Sequence, residues 1–366
     1  MAVLSERATD ARPGPLAAAM IDQLGEESVL WRPYDLRLYE YDAALETARP
    51  EVVVLPRSTA DVVAVVETCR RLAAPFTARG AGTGLSGGAI PLRGGVLVVF
   101  SRMNRVLEVD PANRCAWVEP GLPNLQLSET VRHLGLQFVP DPSSQRSSTI
   151  GGNVGENSGG PHTLAYGVTT NHVLGLEMVL PDGRVALFGG KAGGRAPYDL
   201  AGLVVGSEGM FGLVTKVLVR LTPLPEAAAT LLAAFPSVRA AGAAVSAVIA
   251  AGIVPAALEM MDRLATQAIE ASVHAGYPQD AEAVLLVDAE GLLSDVERSL
   301  AEIEPICTRH GALLVRTAAS ARERALLWAG RKGAFGAMGR LSPNFYTMDG
   351  VVPRTRLVEV LEEVDR

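Results

Sequence analysis

Residues 77–89 read TARGAGTGLSGGA and place five glycines between Gly80 and Gly88. Glycine loses more conformational freedom on folding than any other residue and gains nothing from a side chain. So dense a run predicts a backbone against which something presses. A formal GxGxxG lies within it, at Gly82, Gly84 and Gly87. In the dinucleotide fold that uses this spacing, a helix opens at the glycines and aims its N-terminal N–H groups at a pyrophosphate. Here AIPLRGG follows (residues 89–95), with a proline and two more glycines, and then the strand-like run VLVVF. No helix opens, which excludes the Rossmann reading and a nicotinamide cofactor. A P-loop is excluded too, because no Gly-Lys-Ser/Thr follows at the required spacing. What fits is a nest, a run of backbone N–H groups that cradles an anion without a helix dipole. A plain turn between two strands would need fewer glycines.

A second cluster, PDPSSQRSSTIGGNVGENSGGPHTLAYG (residues 140–167), supplies Gly151, Gly152, Gly155, Gly159 and Gly160. Ser143, Ser144, Thr149, Asn153, Asn157 and Ser158 lie among them, small side chains that hydrogen-bond without adding bulk. Two such stretches suit a long ligand with a central diphosphate. A third, GSEGMFGLVTKV (residues 206–217), sets Gly206, Gly209 and Gly212 around Glu208.

Composition bounds the rest. The chain has 366 residues, enough for two or three domains with real cores, and at 48% hydrophobic and 20% charged it is an ordinary globular sequence. A net charge of −7 without a basic run argues against nucleic acid as a partner. Cys69, Cys115 and Cys307 are scattered, which fits a reducing compartment and neither a disulfide framework nor a structural zinc site. The opening MAVLSERATDARPG has no apolar core and is not a signal peptide. The Ala/Val-rich stretch at residues 240–261 is broken by Gly and Pro and reads as buried core rather than a bilayer span.

Along the chain, residues 1–47 read as a helical lead-in with a break at RPGP (12–15). EVVVLP (51–56) is a strand, and Ser58 caps a helix whose Val62, Val63, Val65, Val66 and Cys69 recur at helical spacing. APFTAR and GGVLVVF are strands flanking the first glycine run, and VLEVDPANRCAWVEP and VLGLEMVLPDGRVALFGG are hairpins turning at PAN and PDG. PNLQLSETVRHLG is a helix with Pro123 near its first turn and Gly135 past its end. After LTPLPEAAA (221–229) the rhythm becomes βαββαβ, the ferredoxin-like plan.

The stretches RGAGTGLSGG, PDPSS…TIGGNVGENSGG and GSEGMFG, in this order, resemble the FAD-binding domain of the vanillyl-alcohol oxidase/p-cresol methylhydroxylase superfamily. Within it the chain is most similar to the FAD-linked subunit of glycolate oxidase and to related D-2-hydroxyacid dehydrogenases. PAALEMMD (255–262) and LWAGRKGAF (327–335) extend the resemblance over nearly the whole length. It implies an α+β fold: a p-cresol methylhydroxylase-type FAD-binding domain of two α+β subdomains over residues 48–225, then a ferredoxin-like cap domain over 226–366.

The resemblance also implies roles. Arg79, Gly80, Ala81, Gly82, Thr83 and Gly84 would wrap the FAD pyrophosphate through backbone N–H groups. Pro142, Ser143, Thr149, Gly151, Gly152 and Asn153 would line the flavin and ribityl chain, and Asn157, Gly159, Gly160, Tyr166 and Gly167 would continue that wall. Glu208, Gly212 and Val214 would hold the adenosine side. Some superfamily members tether FAD through a histidine in the first loop; here that loop has no His or Cys, so non-covalent FAD is expected, with His162 and His172 read as packing or polar residues.

Oxidising a 2-hydroxyacid requires a cation for the carboxylate, a base for the hydroxyl proton and an acceptor for the hydride. Arg331 matches the family's substrate-binding position, and arginine's planar fork suits a carboxylate. Lys332, Tyr346 and Asp349 are weaker candidates, the last two where the family's pocket-lining strand runs. Hydroxyglutarate-type relatives carry a Lys near the position of Thr347, so its absence leans toward glycolate or lactate. The family's His-rich segment after the cap sheet, source of metal ligands or base, has no match. The five histidines, His133, His162, His172, His274 and His310, show no ligand-type spacing, so no metal site and no catalytic residue is assigned. PRTRLVEVLEEVDR (353–366) reads as an amphipathic helix at which the chain stops short of the family's usual end, leaving Leu357, Val358, Leu361 and Val364 without part of their packing surface. The expected activity is FAD-dependent oxidation of a small D-2-hydroxyacid, with electrons leaving to a non-NAD acceptor. The alternative is an FAD-binding subunit or incomplete chain without independent catalysis. Iron–sulfur and second flavin subunits are the implied partners, and the implied location is cytoplasmic, peripheral to the inner membrane through those subunits.

Overall fold

A computed structural model describes residues 12–192 and 198–365. The first eleven residues of the expected lead-in lie outside the described residues. The chain forms two compact units: one from the N-terminus to Phe138 with Gln145–Ser158 and Thr169–Thr222, the other from Val139–Ser144, Gly159–Val168 and Pro223–Arg366.

The first unit begins with α1 (Pro15–Leu24), β1 (Val29–Leu30) and α2 (Pro33–Leu36). The described part of the lead-in thus carries two α-helices and a strand the sequence did not announce. β2 (Val52–Val54) leads into α3 (Thr59–Leu72). Ser58 caps α3 by accepting from the Asp61 N–H, while Asp61 Oδ1 accepts from the Ser58 hydroxyl at 2.9 Å. β3 (Phe76–Arg79) and β4 (Val96–Val99) run parallel to β2, and β1 closes the sheet in the order β1-β2-β4-β3. Val52, Val54, Val96 and Val98 pack on one face against Val62, Val65 and Val66 of α3. The fully buried strands explain their unbroken apolar runs.

An antiparallel sheet follows, from β5 (Val106–Asp110), β6 (Cys115–Val118), β8 (Val173–Val179), β9 (Val185–Gly189) and β10 (Leu213–Arg220), in the order β5-β6-β10-β8-β9. Its core takes in Leu127 and Val131 of α4 (Asn124–Val131), Ile150 and Val154 of α5 (Ile150–Glu156), and Ala201 and Val204 of α7 (Leu200–Val204). β7 (Leu136–Gln137) lies past α4, after Gly135, and β11 (Thr222–Pro223) ends this half.

The second unit holds α6 (Thr163–Tyr166), then β12 (Ala227–Phe235), α8 (Val238–Ala250), β13 (Ala257–Asp262), α9 (Arg263–Val273), β14 (Ala283–Gly291), α10 (Leu293–Arg309) and β15 (Leu314–Thr317). The sheet order β13-β14-β12-β15, antiparallel throughout, is the ferredoxin-like one. Strand alternation sorts the side chains. Leu231, Ala233, Phe235, Leu285 and Val287 face Ala241, Ala244 and Val248 of α8 and Ile303 and Ile306 of α10. Leu232, Ala234, Val284 and Leu286 face Ile269 of α9, Leu327 and Trp328 of α11 (Ala321–Lys332), and Ala337 of α12 (Ala334–Met338).

α13 (Leu357–Asp365) lies against α8. Leu357, Val358 and Leu361 are half-buried, and Val358 sits where a side chain on Gly242 of α8 would go. Arg239 of α8 pairs with Glu362. Of the four apolar residues expected to lack part of their packing surface, Val364 is largely exposed, at 78%, and the other three are covered in part.

Candidate functional site

In the first unit the three glycine stretches converge on α5. Residues 80–95 run from β3 to β4 with no helix between, as the sequence predicts. The site where a Gly80 side chain would stand is taken by Thr149 Oγ1, and Thr149 caps α5 by accepting from the Gly152 N–H at 3.2 Å. At the far end of α5, the Gly206 N–H donates to the Val154 carbonyl at 2.8 Å and the Glu208 N–H to the Gly155 carbonyl at 2.9 Å. Glu208 (φ 52°) turns its carboxylate toward Gly88.

Among the described residues, none accepts a hydrogen bond from the backbone N–H groups of Ala81 to Gly88. Residues 81–88 are exposed or half-buried, so these N–H groups are open to solvent and available to an anion, as in a nest. No side chain stands within 4 Å of the Cβ positions of Gly87 or Gly155, and Gly84 has nothing nearer than 3.9 Å. The residues therefore fit a diphosphate-bearing cofactor such as FAD. Arg79 braces the loop from beneath. It is 7% exposed, its Nη1 donates to the Tyr41 carbonyl at 2.7 Å, and its guanidinium fills the space a Gly82 side chain would need. Burial lowers the Arg79 pKa, partly offset by Asp42, Tyr39 and Tyr41. Glu156 is raised by burial and by Glu208 and Asp42 nearby.

Other expected cofactor residues have local duties as well. Asn153 Oδ1 accepts from Asn124 Nδ2 at 2.9 Å, and Asn153 Nδ2 donates to Ser158 Oγ at 3.2 Å. Asn157 ends α5 in the left-handed region and accepts from the Thr170 N–H at 2.9 Å. The Gly151 N–H donates to the Pro120 carbonyl at 2.7 Å. Gly212 lies against the Val179 carbonyl, and Val214 packs against the apolar core.

Pro142, Ser143, Gly159, Gly160, Tyr166 and Gly167 belong to the second unit. There a charged network surrounds His162. Its Nδ1 lies 2.8 Å from Asp141 Oδ2 and its Nε2 lies 3.4 Å from Asp288 Oδ2, so both ring nitrogens donate. Gly160 permits this turn, since a Cβ there would come within 2.6 Å of the Asp141 carbonyl carbon. Burial opposes the imidazolium, but the hydrogen bonds to Asp141 and Asp288 and the charges of Asp141 and Glu290 outweigh it and raise the pKa to about 9. Asp288, wholly buried, also accepts from Thr230, from Trp328 Nε1 and from Arg324. Burial alone would raise Asp141 and Asp288, yet both are lowered, Asp141 by His162 and Lys332, Asp288 by His162, Arg324 and Thr230. The Tyr166 hydroxyl donates to Glu290 at 3.0 Å, and burial with Glu290 raises its pKa. His162, Asp288 and Glu290 place their ligand atoms within 4.8 Å of one another, a metal-like spacing, but Arg324 Nη2 already lies on both carboxylates.

Helix α11 carries the cations. Arg324, Trp328, Arg331 and Lys332 share one face by helical spacing and all meet polar partners. Arg331 pairs with Glu259 of β13 at 2.6 Å, and Lys332 with Asp141 at 2.8 Å. The structure thus brings Lys332 into the same network as His162. Tyr346 and Asp349 lie in an irregular, exposed segment rather than the expected strand. The sequence reading missed Asp141, Glu259, Asp288, Glu290 and Arg324. A signal existed for Asp288, the fully buried one of the two carboxylates in the apolar run AVLLVDAEG, because buried charges persist only when paired.

Comparison with known proteins agrees with this geometry. Residues 50–189 match the family described as FAD binding domain, and residues 224–366 the C-terminal domain of FAD linked oxidases. Glycolate oxidase subunit GlcD of Escherichia coli strain K12 is 47% identical over 329 residues, 90% of this chain and 66% of that protein. The Bacillus subtilis protein of the same name is 41% identical, over 90% of this chain and 70% of its own length. The chain therefore spans about two thirds of the length of these relatives. Among solved structures, p-cresol methylhydroxylase with substrate bound superposes with a TM-score of 0.74 at 17% identity, over 88% of this chain and 71% of that one, which shows a shared fold. Motifs, fold and relatives agree that the chain belongs to the FAD-linked oxidases.

Proposed function

We propose that this chain takes part in FAD-dependent oxidation of a small D-2-hydroxyacid, glycolate or D-lactate, with electrons leaving to an acceptor other than NAD. The observation that carries the reading is the row of unpartnered N–H groups from Ala81 to Gly88, in a chain of the FAD-linked oxidase family. Bound FAD supplies the two-electron acceptor. Arg331, with Lys332 beside it, would fix the substrate carboxylate. His162, doubly hydrogen-bonded to carboxylates, keeps its proton at neutral pH and contributes a positive charge rather than a base. That favours a second reading, an FAD-binding chain that needs further groups for turnover. Assembly with iron–sulfur and second flavin subunits, on the cytoplasmic side of a membrane, is part of this proposal, and its support is the likeness to a protein named as a subunit of glycolate oxidase. No described helix is long and apolar enough to cross a membrane.

The test is an absorption spectrum of the purified protein followed by anaerobic titration with a panel of 2-hydroxyacids. Bleaching by glycolate or D-lactate supports the first reading; a yellow protein that none of them bleaches supports the second. Arg331→Ala is expected to leave the flavin content unchanged and to raise the D-lactate concentration for half-bleaching about thirtyfold, or about 2 kcal/mol for a charge-assisted pair. Unaltered titration would remove Arg331 from the site.

The flavin is expected to be held without a covalent bond. The first loop has no nucleophilic His or Cys, and His162 has both nitrogens engaged. Acid precipitation should release all the yellow colour to the supernatant, and colour retained in the pellet would overturn this.

A further inference from the structure

Glu259 sits on β13 between Leu258 and Met260, on the sheet face beneath α11, with Leu286 opposite it in the register. A carboxylate among apolar neighbours needs a partner, and among the described residues its one ionic partner is Arg331. Both Arg331 Nε, at 2.8 Å, and Nη2, at 2.6 Å, reach the same oxygen, Glu259 Oε2. Both side chains are mostly buried, with 29% and 20% exposed.

Arginine has five N–H donors: one on Nε and two on each Nη. Glu259 takes the Nε–H and one of the Nη2 hydrogens. Three remain, two on Nη1 and one on Nη2. The pair that points away from Nε forms a planar fork matched to a carboxylate. Holding the Nε edge also fixes the plane of the guanidinium at the end of a long, flexible stem. Binding then no longer has to order that side chain.

We propose that Glu259 is the positioning residue for Arg331: it occupies the Nε edge of the guanidinium and so presents the Nη1/Nη2 fork to the carboxylate of a small 2-hydroxyacid or its 2-oxoacid product. The inference rests on the reading of Arg331 as the substrate anchor. What matters in it is the reach of the acceptor oxygen rather than the charge of Glu259. Glutamine keeps an oxygen at the same distance from the backbone without the charge; aspartate keeps the charge and draws the oxygen back by one methylene.

The experiment is titration of the oxidised, flavin-loaded protein with pyruvate, read by perturbation of the flavin spectrum or by calorimetry, so that no turnover is required. Glu259→Gln should retain most of the affinity, within about threefold of the parent, while Glu259→Asp should weaken pyruvate about tenfold at unchanged flavin content. The double variant Glu259→Asp/Arg331→Ala should be no weaker than Arg331→Ala, because both act through one guanidinium. The reverse order, Asp near the parent and Gln weakened, would show a charge effect and overturn the proposal. So would additive losses in the double variant. If Arg331→Ala itself binds pyruvate as the parent does, it is the anchor reading that falls, and the Glu259 proposal with it.

Discussion

Gly82→Val is expected to give a colourless protein. Gly82 has φ +70°, a backbone conformation that β-branched residues all but never adopt. Its Cβ would also enter the space of the Arg79 guanidinium, which is buried and bonded to the Tyr41 carbonyl and cannot be withdrawn without breaking that contact. Left-handed backbone in a non-glycine residue costs about 1–3 kcal/mol even without a clash. The loop relaxes by changing conformation, and the N–H groups from Ala81 to Gly88 move with it. Gly84→Ala separates this from a direct clash with the ligand. Gly84 lies outside the positive-φ region, and a Cβ there has nothing nearer than 3.9 Å in the protein. If Gly84→Ala folds normally yet binds FAD weakly, the cofactor itself fills the space over the loop. A Gly82→Val protein that retains full flavin stoichiometry would place the cofactor elsewhere.

The second large effect is expected from Asp288→Ala. Asp288 is wholly buried and answers Arg324, His162, Thr230 and Trp328 at once. Removing it leaves Glu290 as the remaining counter-charge of Arg324, and Asp141 and Glu290 as those of His162, so the expected loss is about 3 kcal/mol, the low end for a broken buried pair. Chemical denaturation should show this as a fall in the midpoint with an unchanged slope. A loss below about 1 kcal/mol would mean that water reaches the network and screens it. The same network sets a pH dependence. His162 has a folded pKa raised from 6.5 to about 9, so its contribution is complete below pH 6.5 and is lost as pH rises through about 9. Asp141 and Asp288 are lowered below 3.8, so theirs is complete above that value and lost as pH falls beneath it. Stability should therefore peak between the two limits. Asp288→Ala takes away one of the two acceptors of His162, and the alkaline limb should move toward neutral pH. Histidine ring NMR across pH 5–10 would follow it, and an unmoved limb would detach His162 from the effect.

The sequence by itself determined a good deal. Glycine spacing without a following helix excluded the Rossmann fold, and the structure shows β3 passing to β4 through residues 80–95 with no helix. The Ser58–Asp61 cap, the hairpins at PAN and PDG, and the βαββαβ succession of elements were legible for the same reason: each depends on residues close together in the chain, where local geometry and a simple period leave few alternatives. Arg331 could be singled out because its neighbours form a motif. Only the tertiary structure decided which charges face which. Asp141 and Lys332 stand 191 positions apart, and His162 and Asp288 126. No local pattern links them. Asp141 and His162, from the glycine-rich stretch, are brought beside strand β14 and helix α11 by the fold, and their pairing follows from the cost of leaving any one of those charges buried alone. Tyr346 and Asp349, weaker candidates by position, lie exposed, and His162, read as a polar or packing histidine, stands at the centre of the network.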